Sequence, residues 1–210
     1  MFTGIVHGIA VVLSIQKQKN FQTFKMQFPS YLIHDIKIGD SISNNGCCLT
    51  VSKMYDNNIY FDAMDETLKT TNLGLLQIGS LVNIERSLKF GDEVGGHLMS
   101  GHIIGTAKIL NVINYNNNKK IFFQVKNDRI MKYIFLKGFI GVNGISLTVS
   151  DVYKNIFCVY FVPETIISTN IKNKTINSIV NIEVDYYTQI VVDKLDYYLK
   201  YYSVKNVSHI

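Results

Sequence analysis

The sequence predicts a mainly β protein: two similar six-stranded antiparallel Greek-key barrels followed by a C-terminal α-helix. Three observations carry this. The chain writes one octapeptide twice, NGCCLTVS at 45–52 and NGISLTVS at 143–150, in registers 98 apart (143 − 45 = 98). Glu66-Thr67, Thr71-Asn72 and Val82-Asn83-Ile84-Glu85 recur at that spacing as Glu164-Thr165, Thr169-Asn170 and Val180-Asn181-Ile182-Glu183. A period this long marks a duplicated domain and not a solenoid, whose units run roughly 20–50 residues. Second, short strand-like runs alternate with turn signals at roughly 8–12-residue spacing, the mark of a small barrel and not of βαβ units. Third, the tail has helical period and no counterpart after the first repeat.

Taken in order, residues 2–14 open the first strand and 20–28 (NFQTFKMQF) supply its antiparallel partner. A helical turn is expected at 30–36, then strands near 40–45, 47–55 and 57–64. Asp65–Thr71 can hold a short helix with an acidic first turn, and a strand near 80–87 ends the unit. The second unit repeats this plan. GHIIGTAKIL (101–110) echoes TGIVHGIAVV at an offset of 97, with Gly101 over Gly4, Gly105 over Gly8 and Ala107 over Ala10. IFFQVK (121–126) is the partner strand, and NDRIMKYI (127–134) has helical apolar spacing behind an Asn/Asp cap. From Thr188 to Tyr202 apolar residues fall at 190, 191, 195, 198, 199 and 202. Val191, Leu195, Tyr198 and Tyr202 form one stripe, which either packs on its own barrel or pairs with copies of itself. The expected units are 1–97, 98–187 and a helix with tail at 188–210.

Composition narrows the function. The net charge of +5 is spread over scattered lysines; Lys119, Lys120, Lys172 and Lys174 sit in Asn-rich segments. A nucleic-acid surface calls for a clustered basic face with interleaved aromatics, so none is expected. No apolar run approaches the ~20 residues that span a bilayer. MFTGIVHGIAVVL has no basic n-region and contains a histidine, unlike a signal peptide. Three cysteines, two of them adjacent, make no disulfide framework, and the Cys and His residues lack metal-ligand spacing. A reduced, cytoplasmic protein without metal is expected.

The octapeptide also says where chemistry points. Asn-Gly reads as a turn feeding a strand, and side chains of a strand alternate between faces. Cys48 and Thr50 then share one face, and Cys47, Leu49 and Val51 the other. In the second copy Ser146 and Thr148 take the first face, and Ile145, Leu147 and Val149 the second. The apolar face belongs to the core. A small polar face retained in both diverged copies points toward a ligand; the plainer reading is hydroxyls facing water. Between the units lies FGDEVGGHLMSGHI (90–103), with four glycines and two histidines. His97 is as readily a hydrogen-bonded loop residue as a functional one. His102 aligns with apolar Ile5, so the second unit gained a group able to move protons near neutral pH.

MFTGIV, NGCCLTV, FDAMDETLKTTNLG, ERSLKFGDEVGGHLMSGHI, MKYIFLKGFIGVNGISLTV and PETI together closely resemble the bacterial riboflavin synthase alpha chain, over nearly the whole sequence. That family begins with Met-Phe, so the resemblance implies a native start. It implies an enzyme that converts two molecules of 6,7-dimethyl-8-ribityllumazine into riboflavin and 5-amino-6-ribitylaminouracil by four-carbon transfer, without cofactor. It implies a homotrimer held partly by the C-terminal helix, with sites between the N-terminal barrel of one subunit and the C-terminal barrel of a neighbour. Carried over by motif, Ser146, Thr148 and His102 line the C-terminal pocket as candidates for proton transfer and anion stabilisation. Cys48, as a nucleophile or merely a ring contact, and Thr50 line the N-terminal pocket. The resemblance places Phe2, Gly4, Ile5, Val6, Leu49, Asp62, Ala63, Met64, Asp65, Glu66, Thr67, Gly101, Ile103, Lys137, Leu147, Phe161, Val162, Pro163, Glu164, Thr165 and Ile166 around the bound rings and ribityl chains. Phe2 is equally ordinary N-terminal packing and Lys137 equally a solvated loop charge. Asp185, in place of Ser87, acts across the interface or simply precedes the tail helix. The alternative from the same fold is a non-catalytic protein that carries a lumazine or flavin as chromophore.

Overall fold

The structure, a computed structural model, describes the backbone of residues 1–206 and the side chains of residues 1–201. Twelve strands close into two barrels. The first contains β1 (Gly8–Lys17), β2 (Phe21–Gln27), β3 (Ser41–Asn44), β4 (Cys47–Tyr55), β5 (Asn58–Met64) and β6 (Leu81–Arg86), in the spatial order β1-β2-β5-β4-β3-β6. The second contains β7 (Gly105–Asn114), β8 (Lys119–Val125), β9 (Phe139–Val142), β10 (Ile145–Tyr153), β11 (Ile156–Phe161) and β12 (Ile179–Val184), in the equivalent order. Every pairing is antiparallel. Closure leaves no sheet edge unpaired. Short helices α1 (Asp65–Thr70) and α2 (Pro163–Ser168) precede the last strand of each barrel, and α3 (Tyr186–Asn206) follows the second.

Alternation fills both interiors. In β4 Cys47, Leu49 and Val51 are buried, and in β10 Ile145, Leu147 and Val149 are buried, as the period-2 pattern requires. Phe24, Phe28 and Phe61 anchor the first core; Phe123, Phe157 and Phe161 anchor the second. Two expectations shift. NDRIMKYI forms a 3₁₀ segment, Asp128–Tyr133, capped by the Asn127 side chain, which accepts from the Arg129 N–H. The first strand starts at Gly8 and not at residue 2, and its counterpart starts at Gly105. The segments before them spend their hydrogen bonds elsewhere: Phe2 and Met99 exchange N–H···O bonds of 2.8 and 2.9 Å.

The barrels meet about a pseudo-twofold axis, and the repeated Asn-Gly pairs lie on it. Asn45-Gly46 and Asn143-Gly144 all have positive φ, the hairpin turn that favours this dipeptide. A Cβ on Gly46 would lie 2.7 Å from the Gly144 nitrogen, and one on Gly144 would lie 2.7 Å from the Gly46 nitrogen. Six buried asparagines surround this contact. Asn181 Oδ1 accepts from the Asn72 backbone N–H at 2.6 Å, and Asn181 Nδ2 donates to the Asn45 carbonyl at 2.9 Å. Asn83 makes the mirrored bonds to Asn170 (2.7 Å) and Asn143 (3.0 Å). Asn72 Nδ2 donates to Asn143 Oδ1, and Asn170 Nδ2 donates to Asn45 Oδ1.

The tail helix packs on the second barrel through its first half. Val192 lies against the core, and the Tyr133 hydroxyl donates to Asp193 at 2.6 Å. Lys132 Nζ bridges Asp193 (2.7 Å) and Asp196 (2.8 Å). Val191, Leu195 and Tyr198 of the expected stripe remain exposed; the side chain of Tyr202 and residues 207–210 lie outside the described residues.

Asn83→Ala and Asn181→Ala each orphan two buried backbone groups across the axis. At ~1–3 kcal/mol per group, each should lower the unfolding free energy by roughly 2–6 kcal/mol in urea titrations. A loss below about 1 kcal/mol would show that water satisfies the seam instead.

Candidate functional site

Each barrel presents one cavity on the polar face of its octapeptide strand. The first, of about 260 Å³, is lined by Cys47, Cys48, Glu66, Thr67, Thr70 and Thr71 of its own barrel and by Gly101, His102 and Ile103. The second, of about 460 Å³, is lined by Ser146, Thr148, Ser150, Lys137, Phe139, Tyr160, Val162 and Thr165 of its own barrel, with Ile5, Gly95 and Gly96. Gly101, His102 and Ile103 precede β7, which opens the opposite barrel; Ile5 likewise precedes β1, whereas Gly95 and Gly96 belong to the linker between the barrels.

The two walls cross over. The Gly101 carbonyl accepts from the Cys48 N–H at 2.9 Å, and the Gly4 carbonyl accepts from the Ser146 N–H at 2.8 Å. Ile103 packs against the first core and Val6 against the second. His102 is therefore exposed at the rim of the first cavity, beside Cys48, and not in the second pocket with Ser146 and Thr148 as expected from the sequence. The strand following His102 joins the second barrel, but the segment carrying it hydrogen-bonds to β4 of the first. His102 and Ile103 also border a groove of about 440 Å³ beneath α3, lined by Tyr186, Gln189, Ile190, Asp193 and Lys194.

The histidine that contacts Ser146 is His97, which stands behind the second cavity and does not line it. It is 6% exposed, with Nδ1 2.7 Å from Ser146 Oγ, and its ring stacks on Phe139 at 5.0 Å between centroids. Its backbone N–H donates to the Thr3 carbonyl at 3.1 Å. Burial pulls its pKa below the usual imidazole value, opposed by the Asp185 carboxylate. The Ser146 hydroxyl thus faces a neutral imidazole able to exchange a proton with it. Gly96 permits the approach: a Cβ there would lie 2.2 Å from the Thr3 carbonyl oxygen and 2.8 Å from Ser146 Oγ. The repeat could not reveal His97, because its counterpart at the 97-residue offset would precede Met1. The double glycine before a histidine was the available signal.

The remaining expected site residues divide by burial. Leu49, Ala63 and Phe161 are buried in the cores, and Ile166 packs on the second; none lines a cavity. Period 2 directs Leu49 inward, as it does Ala63 and Phe161 in β5 and β11. Phe2, 1% exposed, sits behind Gly101 and backs the first cavity's wall without lining it. Thr50, Asp62, Met64 and Asp65, with Pro163 and Glu164 opposite, are exposed beyond the two cavities. Asp62 accepts from the Thr23 hydroxyl at 2.6 Å. Asp185 caps α3, accepting from the Thr188 N–H and hydroxyl at 2.8 Å each. Lys137 stands in a left-handed turn (φ +67°) on the cavity wall. The two adjacent thiols do not bridge, and burial pushes Cys47 up to about 12, leaving half-buried Cys48 as the better placed thiol.

A profile of the lumazine binding domain matches residues 3–87 and 100–185, the two barrels in turn. The chain belongs to the riboflavin synthase family of duplicated lumazine-binding domains. It is 54% identical over 193 residues to a riboflavin synthase of Buchnera aphidicola from Schizaphis graminum, covering 92% of this chain and 93% of that protein. It is 48% identical over 196 residues to the riboflavin synthase of Escherichia coli K12, covering 93% and 92%. Among solved structures, LumP complexed with riboflavin superposes with a TM-score of 0.82 at 29% identity, covering 88% of this chain and all of LumP. LumP with 6,7-dimethyl-8-(1'-D-ribityl) lumazine gives 0.80 at 26%. Among the described residues no helix is long and apolar enough to cross a membrane, and no three His, Cys, Asp or Glu side chains converge as metal ligands.

Because the folded pKa of His97 lies below its unfolded value near 6.5, its contribution to stability is full above that value and is lost as pH falls through the folded one. His97→Phe, which keeps the ring, should shrink the fall in urea midpoint between about pH 7 and about pH 5. An unchanged fall would mean that His97 titrates normally.

Proposed function

We propose that the two cavities hold 6,7-dimethyl-8-ribityllumazine and that the protein is a riboflavin synthase, a transferase that dismutates two such molecules into riboflavin and 5-amino-6-ribitylaminouracil. The observation that carries this is the pair of homologous cavities, each built on the polar face of a copied strand. A reaction between two identical molecules calls for two related pockets, and they must differ because one ring donates four carbons and the other accepts them. They differ at matched positions: Cys48 against Ser146, His102 against Ile5, Asp62 against Tyr160, Gly39 against Lys137.

No described residue lines both cavities, and the bridged Phe2 and Met99 stand behind their facing walls. This supports face-to-face rings only where cavities of two subunits meet, in a homotrimer. Exposed Tyr187, Val191 and Leu195 on α3 supply an apolar surface for that assembly. Residues 1–97 and 98–187 then serve as binding modules and 188–210 as the assembly segment. Three free thiols fit a cytoplasmic location.

The chemistry asks little of the protein beyond placement. The 7-methyl group of the lumazine is acidic because its ring delocalises the resulting anion. Fixing two rings in contact supplies effective molarities of order 10⁵–10⁸ M in the best cases. Ser146, backed by neutral His97, and His102 at the opposite rim are the proton-transfer groups; Thr148 and Lys137 lie on the wall where anionic charge is stabilised. Cys48 contacts the ring or adds to it. Glu66 and Thr67, with Thr165 opposite, face the ribityl hydroxyls. LumP's likeness makes a chromophore carrier the second reading, but the riboflavin synthases match nearly twice as well in identity.

Purified protein mixed with the lumazine should produce riboflavin absorbance and fluorescence, one riboflavin per two lumazines consumed. His102→Ala and Ser146→Ala should each lower kcat by roughly 10²-fold or more while binding weakens modestly. Bound, unchanged lumazine after hours would instead establish the carrier.

Val191→Glu combined with Leu195→Glu, both at exposed positions, should convert the trimer to monomer and abolish turnover with the circular dichroism intact. A sedimentation coefficient unaltered by the pair would remove α3 from the assembly.

A further inference from the structure

Glu85 in β6 and Glu183 in β12 are buried carboxylates 98 positions apart, and neither lines a cavity. Each gathers donors from one tight segment. Glu85 Oε1 accepts from the Thr3 N–H (2.6 Å) and hydroxyl (2.9 Å), and Oε2 from the Gly4 N–H (3.0 Å). Glu183 Oε1 accepts from the Ser100 N–H (2.6 Å) and hydroxyl (2.9 Å), and the Gly101 N–H reaches both oxygens at 3.1 and 3.2 Å. Gly4 and Gly101 both have positive φ, +76° and +82°, a turn that aims successive N–H groups at one anion.

The carbonyl of Gly4, which is held by a carboxylate of the first barrel, accepts from the Ser146 N–H in the second, and the Thr3 carbonyl accepts from the His97 backbone N–H. Gly101, held by a carboxylate of the second barrel, accepts from the Cys48 N–H in the first. We infer that Glu85 and Glu183 are positioning residues wired across the barrels: Glu85 sets the wall of the second cavity and Glu183 the wall of the first. From the proposed function this takes only that the cavities are the lumazine sites. A glutamine would not substitute. Its amide Nε2 is a donor, and it would face a Thr, Ser or Gly N–H where a carboxylate oxygen accepted; charge-assisted bonds would be lost as well.

The test needs no ligand, so its outcome is independent of whether the protein makes riboflavin. Cys48 reports the first cavity by its rate of alkylation with iodoacetamide, since Cys47 and Cys158 are buried. A thiol introduced by Ser146→Cys, in a Cys48→Ala background, reports the second at the matched position. Glu183→Gln should speed alkylation of Cys48 by roughly tenfold, the order set by losing charge-assisted bonds, and should leave the Ser146→Cys thiol within about twofold. Glu85→Gln should do the reverse. If the glutamine variants fail to fold, Ser100→Ala and Thr3→Val, which remove one donor each, should show the same crossing with smaller changes. A change confined to the thiol of the mutated residue's own barrel, equal changes at both thiols, or no change at either would overturn the inference.

Discussion

Six asparagines hold the two barrels against each other, and everything at the cavities follows from that contact. An amide side chain offers a donor and an acceptor at once. Each of Asn83 and Asn181 uses the pair to satisfy one N–H and one carbonyl of the other barrel, groups that would otherwise be stranded without water. An apolar seam would bind as firmly but in many rotations. This one is satisfied in a single arrangement, because eight bonds among side chain and backbone must close together. The facing glycines let the hairpins approach to the distance these bonds demand.

With the barrels so docked, the segments ahead of β1 and β7 run along the seam and reach the opposite strand. Each cavity is therefore a composite, floored by its own barrel and walled by the other's lead-in. This arrangement converts a duplication into two sites that are alike in plan and unlike in content. The copies kept the fold-bearing residues: the Asn-Gly turns, the seam asparagines and the buried carboxylates. They diverged where side chains meet the cavities, at Cys48 and Ser146, and at Ile5 and His102. A dismutation needs this combination of likeness and difference.

The second cavity has one further layer. His97 lies behind Ser146 and not in front of it, stacked on Phe139 and held neutral by burial. The linker that carries it can pass only because Gly96 leaves room beside the Thr3 carbonyl. The first cavity has an exposed histidine at its rim and a half-buried thiol. One pocket thus has a neutral imidazole–hydroxyl pair and a lysine, the other a thiol and a solvent-facing imidazole.

The sequence by itself determined the barrels, their duplication and the polar face of each copied strand. Those properties are local: strand alternation, Asn-Gly turn chemistry and a fixed repeat offset are written within a few residues or at constant spacing. By motif it also named Cys48, Ser146, Thr148, Glu66, Thr67 and Lys137, and all six line the two cavities. Only the tertiary structure decided which histidine serves which cavity. A strand's sequence shows that it begins, but not where the residues ahead of it go, and here they cross to the other barrel. The result placed His102 beside Cys48, set His97 against Ser146, and returned Leu49, Ala63 and Phe161 to the cores. The partners of Glu85 and Glu183 lie 81 to 83 positions away in the chain. Such contacts are set by how two closed barrels dock, a long-range packing choice that no local pattern records.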